Sequence, residues 1–326
     1  MAAHLITALA VVATISAGEP LHPGPAADQL TRRTYEVVAS KGYAYAATTA
    51  GLAVFDLADP NSEKPAATLF FPGSASAISL SGDLAFLSLG PEGLRIIDIS
   101  RPLAPRLTGA LETDGSVNAA APAGGRHLVL ADGAMGLKVA DISNPAAPKV
   151  IASLDTERYA RHLAVSGDLV AVAEEEAGVT FLRLDEAGRL APLSSIRLEG
   201  SSRGVALSGR RCYVAAGPAG LIVLDLSRPD RPGIVAGFPS ADYARGVAAA
   251  EGMVLLADGN AGLRVLEVKE TGGPAPALRT LRAFATTRPA NRVSLDGQRG
   301  NIALVAEDSA GVRIFDLSGP DPMPGF

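Results

Sequence analysis

The chain has 326 residues, with 29 Lys and Arg against 34 Asp and Glu, so its formal net charge is −5. This acidic balance argues against nucleic acid or an anionic membrane as the main partner, because both attract proteins with a strong basic surplus. Hydrophobic residues make up 48%, which is typical of a folded chain, and the single cysteine, Cys212, excludes a disulfide framework and a multi-cysteine metal site.

The N-terminal segment predicts export. Leu5 to Ala17 is an uncharged apolar run that ends in small residues. It is shorter than the roughly 20 residues of a membrane-spanning helix and matches the apolar region and cleavage site of a signal peptide. We therefore predict a signal peptide over residues 1–18, a Pro-rich linker over 19–32 and a single domain over 33–326. The mature protein would be periplasmic, extracellular or on the cell surface, without a membrane span.

A glycine-led string, Gly-[Leu/Val]-x-[Val/Ile/Phe], recurs seven times. It starts at Gly51, Gly93, Gly136, Gly178, Gly220, Gly262 and Gly311, with successive spacings of 42, 43, 42, 42, 42 and 49 residues. Each unit contains short apolar runs bounded by turn residues, and no segment keeps a helical period. Units of roughly 40 to 45 residues with about four strands each predict an all-β fold, a seven-bladed β-propeller of antiparallel sheets. Six blades is the alternative, if one terminal unit is not a full blade.

After the third strand, most units carry an aspartate followed by Ile or Leu and then by Ser. These aspartates are Asp56, Asp98, Asp141, Asp225 and Asp316. They would lie far apart around a ring, so we interpret them as braces of tight turns and not as metal ligands. Arg183 and Glu267 replace the aspartate in two units, which predicts that those blades are held differently. Only ten residues follow Asp316, so a full outer strand hardly fits in the last blade.

Two stretches of the chain resemble the LVIVD repeat. They are GLRIIDIS followed by RPLAP, from Gly93, and GLKVADISNPAAP, from Gly136. SGDLAFLS and SGDLVAVA, which precede two of the glycine-led strings, are similar to the same repeat, and the resemblance covers residues 33–322. It implies a β-propeller of the kind often exported or found on prokaryotic cell surfaces, and it implies no particular reaction.

Several polar residues are predicted at the mouth of the central channel, where propellers bind ligands. Alignment of the units places Arg161, Arg203, Arg245 and Arg292 at the start of the innermost strand in blades four to seven, with Asn118 and Ser76 near the corresponding positions of blades three and two. Tyr159 and Tyr243 each lie two residues before such an arginine, and His162 follows Arg161. Converging guanidinium groups would bind a carboxylate or a phosphate.

The hairpin register also predicts a structural role for these arginines, in ion pairs between neighbouring strands. The predicted cross-strand ion pairs are Arg161 with Glu174, Arg245 with Asp258, and Arg292 with Glu307. Arg203 instead faces Ala216, so we expect Arg203 to be the member free for a ligand. For the other three arginines we favour internal pairing over ligand binding.

Other residues with catalytic or metal-binding potential form no complete pattern. Acidic residues in equivalent loops are Asp132, Glu174, Glu175, Glu176, Asp258, Glu307 and Asp308. They lack the alternating spacing of a Ca²⁺ loop, so we interpret them as a solvated acidic rim. No HExxH, GxSxG or phosphate-loop string occurs, and Cys212 is predicted to be buried. We predict no cofactor, no metal and no catalytic residue.

The sequence favours a non-enzymatic, exported scaffold that binds a protein or a cell-envelope component through its channel-mouth loops. One alternative is a hydrolase or lyase that holds an acidic substrate with the arginines and uses His162, Tyr159 or Tyr243 for proton transfer. Another is a subunit of a larger cell-envelope assembly.

Overall fold

The computed structural model describes residues 33–59, 64–250, 252–273, 275–296 and 301–318. The predicted signal peptide and the predicted linker lie outside these residues. In the described ranges the chain consists of strands joined by turns, and none of it is a helix long and apolar enough to cross a membrane.

The strands form seven antiparallel sheets, in each of which chain order is also spatial order. Blades 1 to 3 consist of β1 (Thr34–Ser40), β2 (Tyr43–Thr48), β3 (Gly51–Asp56), β4 (Ala67–Phe70); β5 (Ala77–Ser81), β6 (Leu84–Ser88), β7 (Leu94–Asp98), β8 (Arg106–Leu111); and β9 (Ala119–Ala123), β10 (His127–Ala131), β11 (Leu137–Asp141), β12 (Lys149–Leu154). Blades 4 and 5 consist of β13 (His162–Ser166), β14 (Leu169–Ala173), β15 (Val179–Leu184), β16 (Leu190–Ile196); and β17 (Gly204–Ser208), β18 (Arg211–Ala215), β19 (Leu221–Asp225), β20 (Gly233–Phe238). Blades 6 and 7 consist of β21 (Gly246–Ala250), β22 (Met253–Ala257), β23 (Leu263–Lys269), β24 (Ala277–Phe284); and β25 (Arg292–Leu295), β26 (Ile302–Ala306), β27 (Val312–Asp316).

The seven sheets close into a ring. The first strand of each blade contacts the first strand of the next, and β25 of blade 7 contacts β1 of blade 1. The seven-bladed β-propeller is therefore confirmed, and the six-bladed alternative is wrong. Six blades have four strands, whereas blade 7 has three in the described residues.

Direct packing of blade 7 on blade 1 closes the ring. Phe55 and Leu57 of blade 1 share a core cluster with Ile302 and Ile314 of blade 7, and all four are at most 4% exposed. Similar aliphatic clusters fill the other interfaces, for example between blades 5 and 6. Because each sheet is covered on both faces, the second strands are mostly apolar and almost wholly buried; all five residues of β10 are buried.

The aspartate at the end of the third strand braces the turn that follows. The Ser100 N–H donates to Asp98 Oδ1 at 2.8 Å, and the Ser143 N–H donates to Asp141 Oδ1 at 2.9 Å. The Ser100 hydroxyl and N–H lower the pKa of Asp98 for the same reason. Blade 4 lacks this aspartate, and there Arg183 pairs with Asp168 at 3.0 Å. The predicted braces are therefore confirmed, and so is the different arrangement of blade 4.

Glycine at the entry to the third strand is a steric requirement. Gly93 has φ 76°, and a Cβ there would lie 2.2 Å from the Leu111 carbonyl oxygen of the outer strand. Since L-residues rarely adopt this conformation and the contact is with backbone, only glycine fits. In blades 1 to 6 the recurrent glycine thus marks the point where the backbone of the outer strand lies against the start of the third strand.

Candidate functional site at the channel mouth

A backbone bridge joins neighbouring blades at one end of the channel. The second residue after the second strand of one blade pairs with the residue two positions before the innermost strand of the next, or with Thr34 at the start of β1; Gly217 and Ala244 exchange hydrogen bonds of 3.0 and 2.9 Å. Such bridges are Gly90 to Val117, Gly133 to Ala160, Glu175 to Ser202, Gly217 to Ala244, Gly259 to Ala290, and Asp308 to Thr34. Glu175 (φ 51°) and Asp308 (φ 44°) take a left-handed conformation that the other blades give to glycine. Two carboxylates therefore stand at this end at a cost in backbone strain.

In blades 3 to 7 the residue that follows the bridge, and in blade 2 the equivalent Ser76, lies at this end of the channel directly before the innermost strand. Its N–H donates to the carbonyl of the second strand, as from Arg203 to Ala215 at 2.9 Å. The residues with this bond are Ser76, Asn118, Arg161, Arg203, Arg245 and Asn291, and we call them the mouth ring. The predicted placement was correct for Arg161, Arg203 and Arg245. Arg292 also opens the innermost strand of its blade, as predicted, but it is the first residue of β25 itself, and Asn291 directly before it occupies the position that Arg161, Arg203 and Arg245 hold in their blades.

The mouth ring encloses a cavity of about 230 Å³, which we call the mouth pocket. It is lined by Arg33, Tyr35, Ser76, Arg161, Arg203, Arg245, Asn291, Arg292 and Asp308. The four predicted arginines thus meet in one pocket, and a fifth, Arg33, joins them from blade 1. A β-bulge in β1 between Thr34 and Glu36 brings Tyr35 to this wall. Arg33 was missed because it lies at the edge of the predicted linker, where the repeat pattern is not yet visible.

Arg292 crosses the channel below the mouth ring. Its guanidinium donates to the Arg245 carbonyl at 2.6 Å and to the Arg203 carbonyl at 3.0 Å. Gly204 and Gly246 leave the space for it, because a Cβ on Gly204 would lie 2.7 Å from Arg292 Nη1. Two glycines on the innermost strands of blades 5 and 6 therefore accommodate one arginine of blade 7.

The predicted cross-strand ion pairs of the arginines were wrong. Arg161 approaches Glu175 at 3.7 Å instead of Glu174, and Arg245 donates to Asn291 at 3.2 Å instead of pairing with Asp258. Arg292 lies 4.0 Å from Glu36 and not beside Glu307. The hairpin register fixes which backbone positions face each other, but these arginines turn into the channel while Glu174, Asp258 and Glu307 turn away from it.

Arg203 and Arg245 share one aromatic ring. Their guanidinium carbons lie 5.7 and 5.8 Å from the centroid of Tyr243, within reach of a cation–π interaction. Within the part of the chain that the structure describes, Arg203 has no carboxylate partner, which agrees with its predicted freedom. Tyr159 donates from its hydroxyl to Asn118 Oδ1 at 3.2 Å. The two tyrosines therefore support the mouth ring, and neither belongs to the described lining of the mouth pocket.

The arginines of the mouth pocket repel one another. Burial, followed by the charge of Arg203, lowers the pKa of Arg161. Burial likewise lowers the pKa of Arg292 to about 10, with Glu36 opposing and Arg161 and Arg203 adding to the effect. Five guanidinium groups line the pocket with one carboxylate, Asp308. A bound anion would relieve this repulsion, since arginine pairs bidentately with carboxylate and phosphate.

His162 contacts Glu36 across the channel. Its Nε2 lies 3.7 Å from Glu36 Oε1, and its Nδ1 accepts the Val205 N–H at 3.4 Å. Burial, followed by the charge of Arg292, lowers the pKa of His162, so the imidazole is neutral near pH 7 with its proton on Nε2. The predicted site residue His162 is therefore part of a polar layer in the channel, and it is not among the described lining residues of the mouth pocket.

Four acidic residues directly follow the second strands of blades 3, 4, 6 and 7, and they are buried. They are Asp132, Glu174, Asp258 and Glu307, at most 1% exposed, and we call them the buried carboxylates. Each accepts hydrogen bonds from the segment that connects the preceding blade, as from the Thr113 hydroxyl to Asp132 at 2.6 Å and from the Thr287 N–H to Glu307 at 3.0 Å. The predicted solvated acidic rim is therefore wrong for these four residues, which brace the connections between blades.

No group of three or more His, Cys, Asp or Glu side chains among the described residues is placed to hold a metal ion. Cys212 is fully buried in β18, and burial raises the pKa of its thiol. The chemistry that the described channel end does offer is anion binding.

Comparisons with known proteins agree with this fold. The model of the LVIVD repeat matches residues 31–64, 72–113, 125–156 and 199–238, which fall on blades 1, 2, 3 and 5. A search of curated proteins found no match.

Solved β-propellers are similar to the chain in shape. The β-propeller domain of Cps50 (Swd1) from Myceliophteria thermophila has a TM-score of 0.68 at 14% identity, covering 87% of this chain and 96% of that one. U3-55K has a TM-score of 0.68 at 13% identity, covering 87% and 90%. The computationally designed Ika8 protein has a TM-score of 0.62 at 12% identity, covering 87% and 83%. At these identities the likeness shows the fold alone.

Proposed function

From the premise that this chain is a seven-bladed β-propeller that carries LVIVD repeats, we propose that it is a non-enzymatic binding platform. Its mouth pocket holds an anionic group, a carboxylate or a phosphate, of a protein or of a cell-envelope component. The observation that carries the proposal is the set of five guanidinium groups that line one cavity with a single carboxylate.

The geometry of the pocket suits a small anionic group. A cavity of about 230 Å³ has room for one such group with several waters. Tyr243 lies beside both Arg203 and Arg245, and Arg245 also donates to Asn291, so less side-chain freedom is lost on binding. The proton-transfer candidates His162, Tyr159 and Tyr243 lie outside the described lining, which is why the proposal is binding and not catalysis.

The first test compares wild-type protein with Arg203→Ala. Inorganic phosphate should raise the melting temperature of the wild type in a saturable way, because a ligand of the folded state stabilises it by mass action. Arg203→Ala should lose this response, and without phosphate its melting temperature should stay close to that of the wild type. The exposed Arg231→Ala, which removes the same charge elsewhere, is the matched control.

Sodium chloride at equal ionic strength separates site binding from general screening. An equal response to phosphate in Arg203→Ala would contradict the proposal, and a large drop in its melting temperature would mark Arg203 as structural. Capture of an envelope partner should likewise be lost in Arg203→Ala and kept in Arg231→Ala.

We also propose export of the mature protein. The support is the apolar run from Leu5 to Ala17 with its small-residue end. N-terminal sequencing of the protein recovered from its native host should find a start after Ala17 or Gly18, and an intact Met1 on a cytosolic form would contradict the export.

A further inference from the structure

The buried carboxylates differ in whether the chain itself supplies a cation for them. In blades 6 and 7 the second residue of the third strand is an arginine. Arg313 Nε lies 3.0 Å from Glu307, and Arg264 Nε lies 3.6 Å from Asp258. In blade 3 the same position holds Lys138, whose charge lowers the pKa of Asp132 against the larger effect of burial. Three of the four buried carboxylates therefore have a cation on the third strand of their own blade.

Blade 4 departs from this rule. Glu174 is fully buried, but the second residue of its third strand is Thr180. Its Oε2 accepts the Arg158 N–H at 3.3 Å, and its Oε1, like Asp132 Oδ2 and Glu307 Oε1, has no hydrogen-bond partner among the described residues. Unlike those counterparts, Glu174 has Thr180 where they have a cation. Burial is the largest influence on this carboxyl and raises its pKa. One buried carboxylate oxygen is thus left without the cation that its counterparts have.

A cavity lies where that cation would be. It has a volume of about 310 Å³, and we call it the blade 4 pocket. Glu174 and Thr180 line it together with Asp155, Thr156 and Glu157 from the connecting segment. A buried carboxylate that lines a cavity of this size without a cation beside it is the arrangement expected of a binding site and not of a closed core.

The equivalent contacts in blade 7 indicate which chemical group would fit the blade 4 pocket. The guanidinium of Arg313 contacts Glu307 and also donates to the Ala285 carbonyl at 3.3 Å and to the Thr287 hydroxyl at 2.9 Å. Counting back from the bridge residues Ala290 and Ala160, the counterparts of Ala285 and Thr287 in blade 4 are Asp155 and Glu157. All three counterparts of the groups that hold Arg313 therefore line the blade 4 pocket, and two of them are more acidic.

We propose that the blade 4 pocket binds a guanidinium or ammonium group from outside the chain, with Glu174 as its buried counter-ion. The bound group takes the place that Arg313 fills in blade 7, and it donates to Glu174 Oε1. Arg197 already pairs with Glu157 at 2.7 Å, so Glu174 and Asp155 supply the charge left for the ligand. This site is separate from the mouth pocket and takes a ligand of opposite charge.

The experiment titrates full-length protein with N-acetyl-arginine amide, N-acetyl-lysine amide and the neutral isostere N-acetyl-citrulline amide, by calorimetry. The arginine probe should bind saturably and the citrulline probe at least ten-fold more weakly. Comparison of the arginine and lysine probes distinguishes a guanidinium from an ammonium ligand. Glu174→Gln should weaken binding of the arginine probe at least ten-fold while keeping the shape of the pocket.

A second variant copies into blade 4 the arginine that blade 7 has at the equivalent position. Thr180→Arg supplies the missing cation as in blade 7, so it should abolish binding of the arginine probe and raise the melting temperature. Thr280→Arg, the same change at an exposed site of β24, is the matched control and should do neither. Equal binding of the citrulline probe, no saturable binding up to the solubility limit, or unchanged binding in Glu174→Gln would overturn the proposal. Arg203→Ala should leave this binding intact, so failure of the two proposals is distinguishable.

Discussion

Arginines occupy two kinds of place in this ring. At the connection between blades 6 and 7, Arg313 is 5% exposed and is surrounded by Glu307, Thr287 and the Ala285 carbonyl. At the channel mouth, Arg203 and Arg245 stack on Tyr243 and lie among other arginines. An arginine in this fold is therefore structural where its side chain meets a buried carboxylate of its own blade, as Arg313 meets Glu307, and it is available to a ligand where its side chain meets none, as at Arg203 and Arg245.

Arg313→Ala should have the largest effect on stability, and it tests whether the buried arginine is structural. Removal of the cation leaves the Glu307 carboxylate buried beside an empty space, and loss of one partner of a buried pair costs about 3–5 kcal/mol. Urea denaturation should show this as a lower midpoint at unchanged slope. Arg264→Ala is the control with a smaller expected loss, because the Arg264 side chain is 25% exposed and 3.6 Å from Asp258. Equal stability of Arg313→Ala and wild type would contradict the distinction between structural arginines and arginines available to a ligand.

Gly246→Ala tests the packing of the channel end. A Cβ on Gly246 would lie 2.8 Å from the Asn291 carbonyl oxygen and 2.9 Å from Arg292 Cα, so backbone must move, at a cost of about 1–3 kcal/mol. Gly204→Ala should cost less, because its Cβ meets a side-chain atom, Arg292 Nη1, at 2.7 Å, and the nearest backbone atom lies 3.3 Å away. The same denaturation measurement ranks the two variants, and the reverse order would contradict this account of Arg292.

Asp132→Asn should have the smallest effect, visible mainly as pH dependence. Burial raises the pKa of Asp132 above its ordinary value of 3.8. The folded state therefore binds a proton more tightly than the unfolded state, and Asp132 lowers stability as the pH rises through its folded pKa. The variant, which cannot ionise there, should match the wild type near pH 3.8 and become relatively more stable above it. Unfolding free energies measured across the acidic range would contradict this if the two curves stayed parallel.

Much of the fold was accessible from the sequence because its determinants are local. The entry glycine and the aspartate brace act within one turn; the brace bond from Ser100 to Asp98 spans two residues. A sequence pattern that depends on residues this close together recurs in every repeat, so the strands and the number of blades could be predicted. The position of Arg161, Arg203 and Arg245 followed from the same alignment.

Side-chain partners were not accessible in this way. The hairpin register correctly sets Arg161 and Glu174 at the same level of blade 4, but one side chain enters the channel and the other enters the connection between blades. Which side a residue faces at the end of a strand depends on the neighbouring blade. The solvated acidic rim failed for the same reason, since only the packed ring shows that Glu174 is covered.

The sequence by itself therefore determined the unit, its number of copies and the residues that open each innermost strand, because hydrogen bonds within a hairpin join residues close in the chain. Only the tertiary structure decided which charges meet. Arg292 donates to a carbonyl 89 residues away, and His162 reaches Glu36 across the channel. Such contacts depend on closure of the whole ring, which brings distant blades to a common axis. The spacing of residues within one repeat therefore cannot predict which residues of different blades meet.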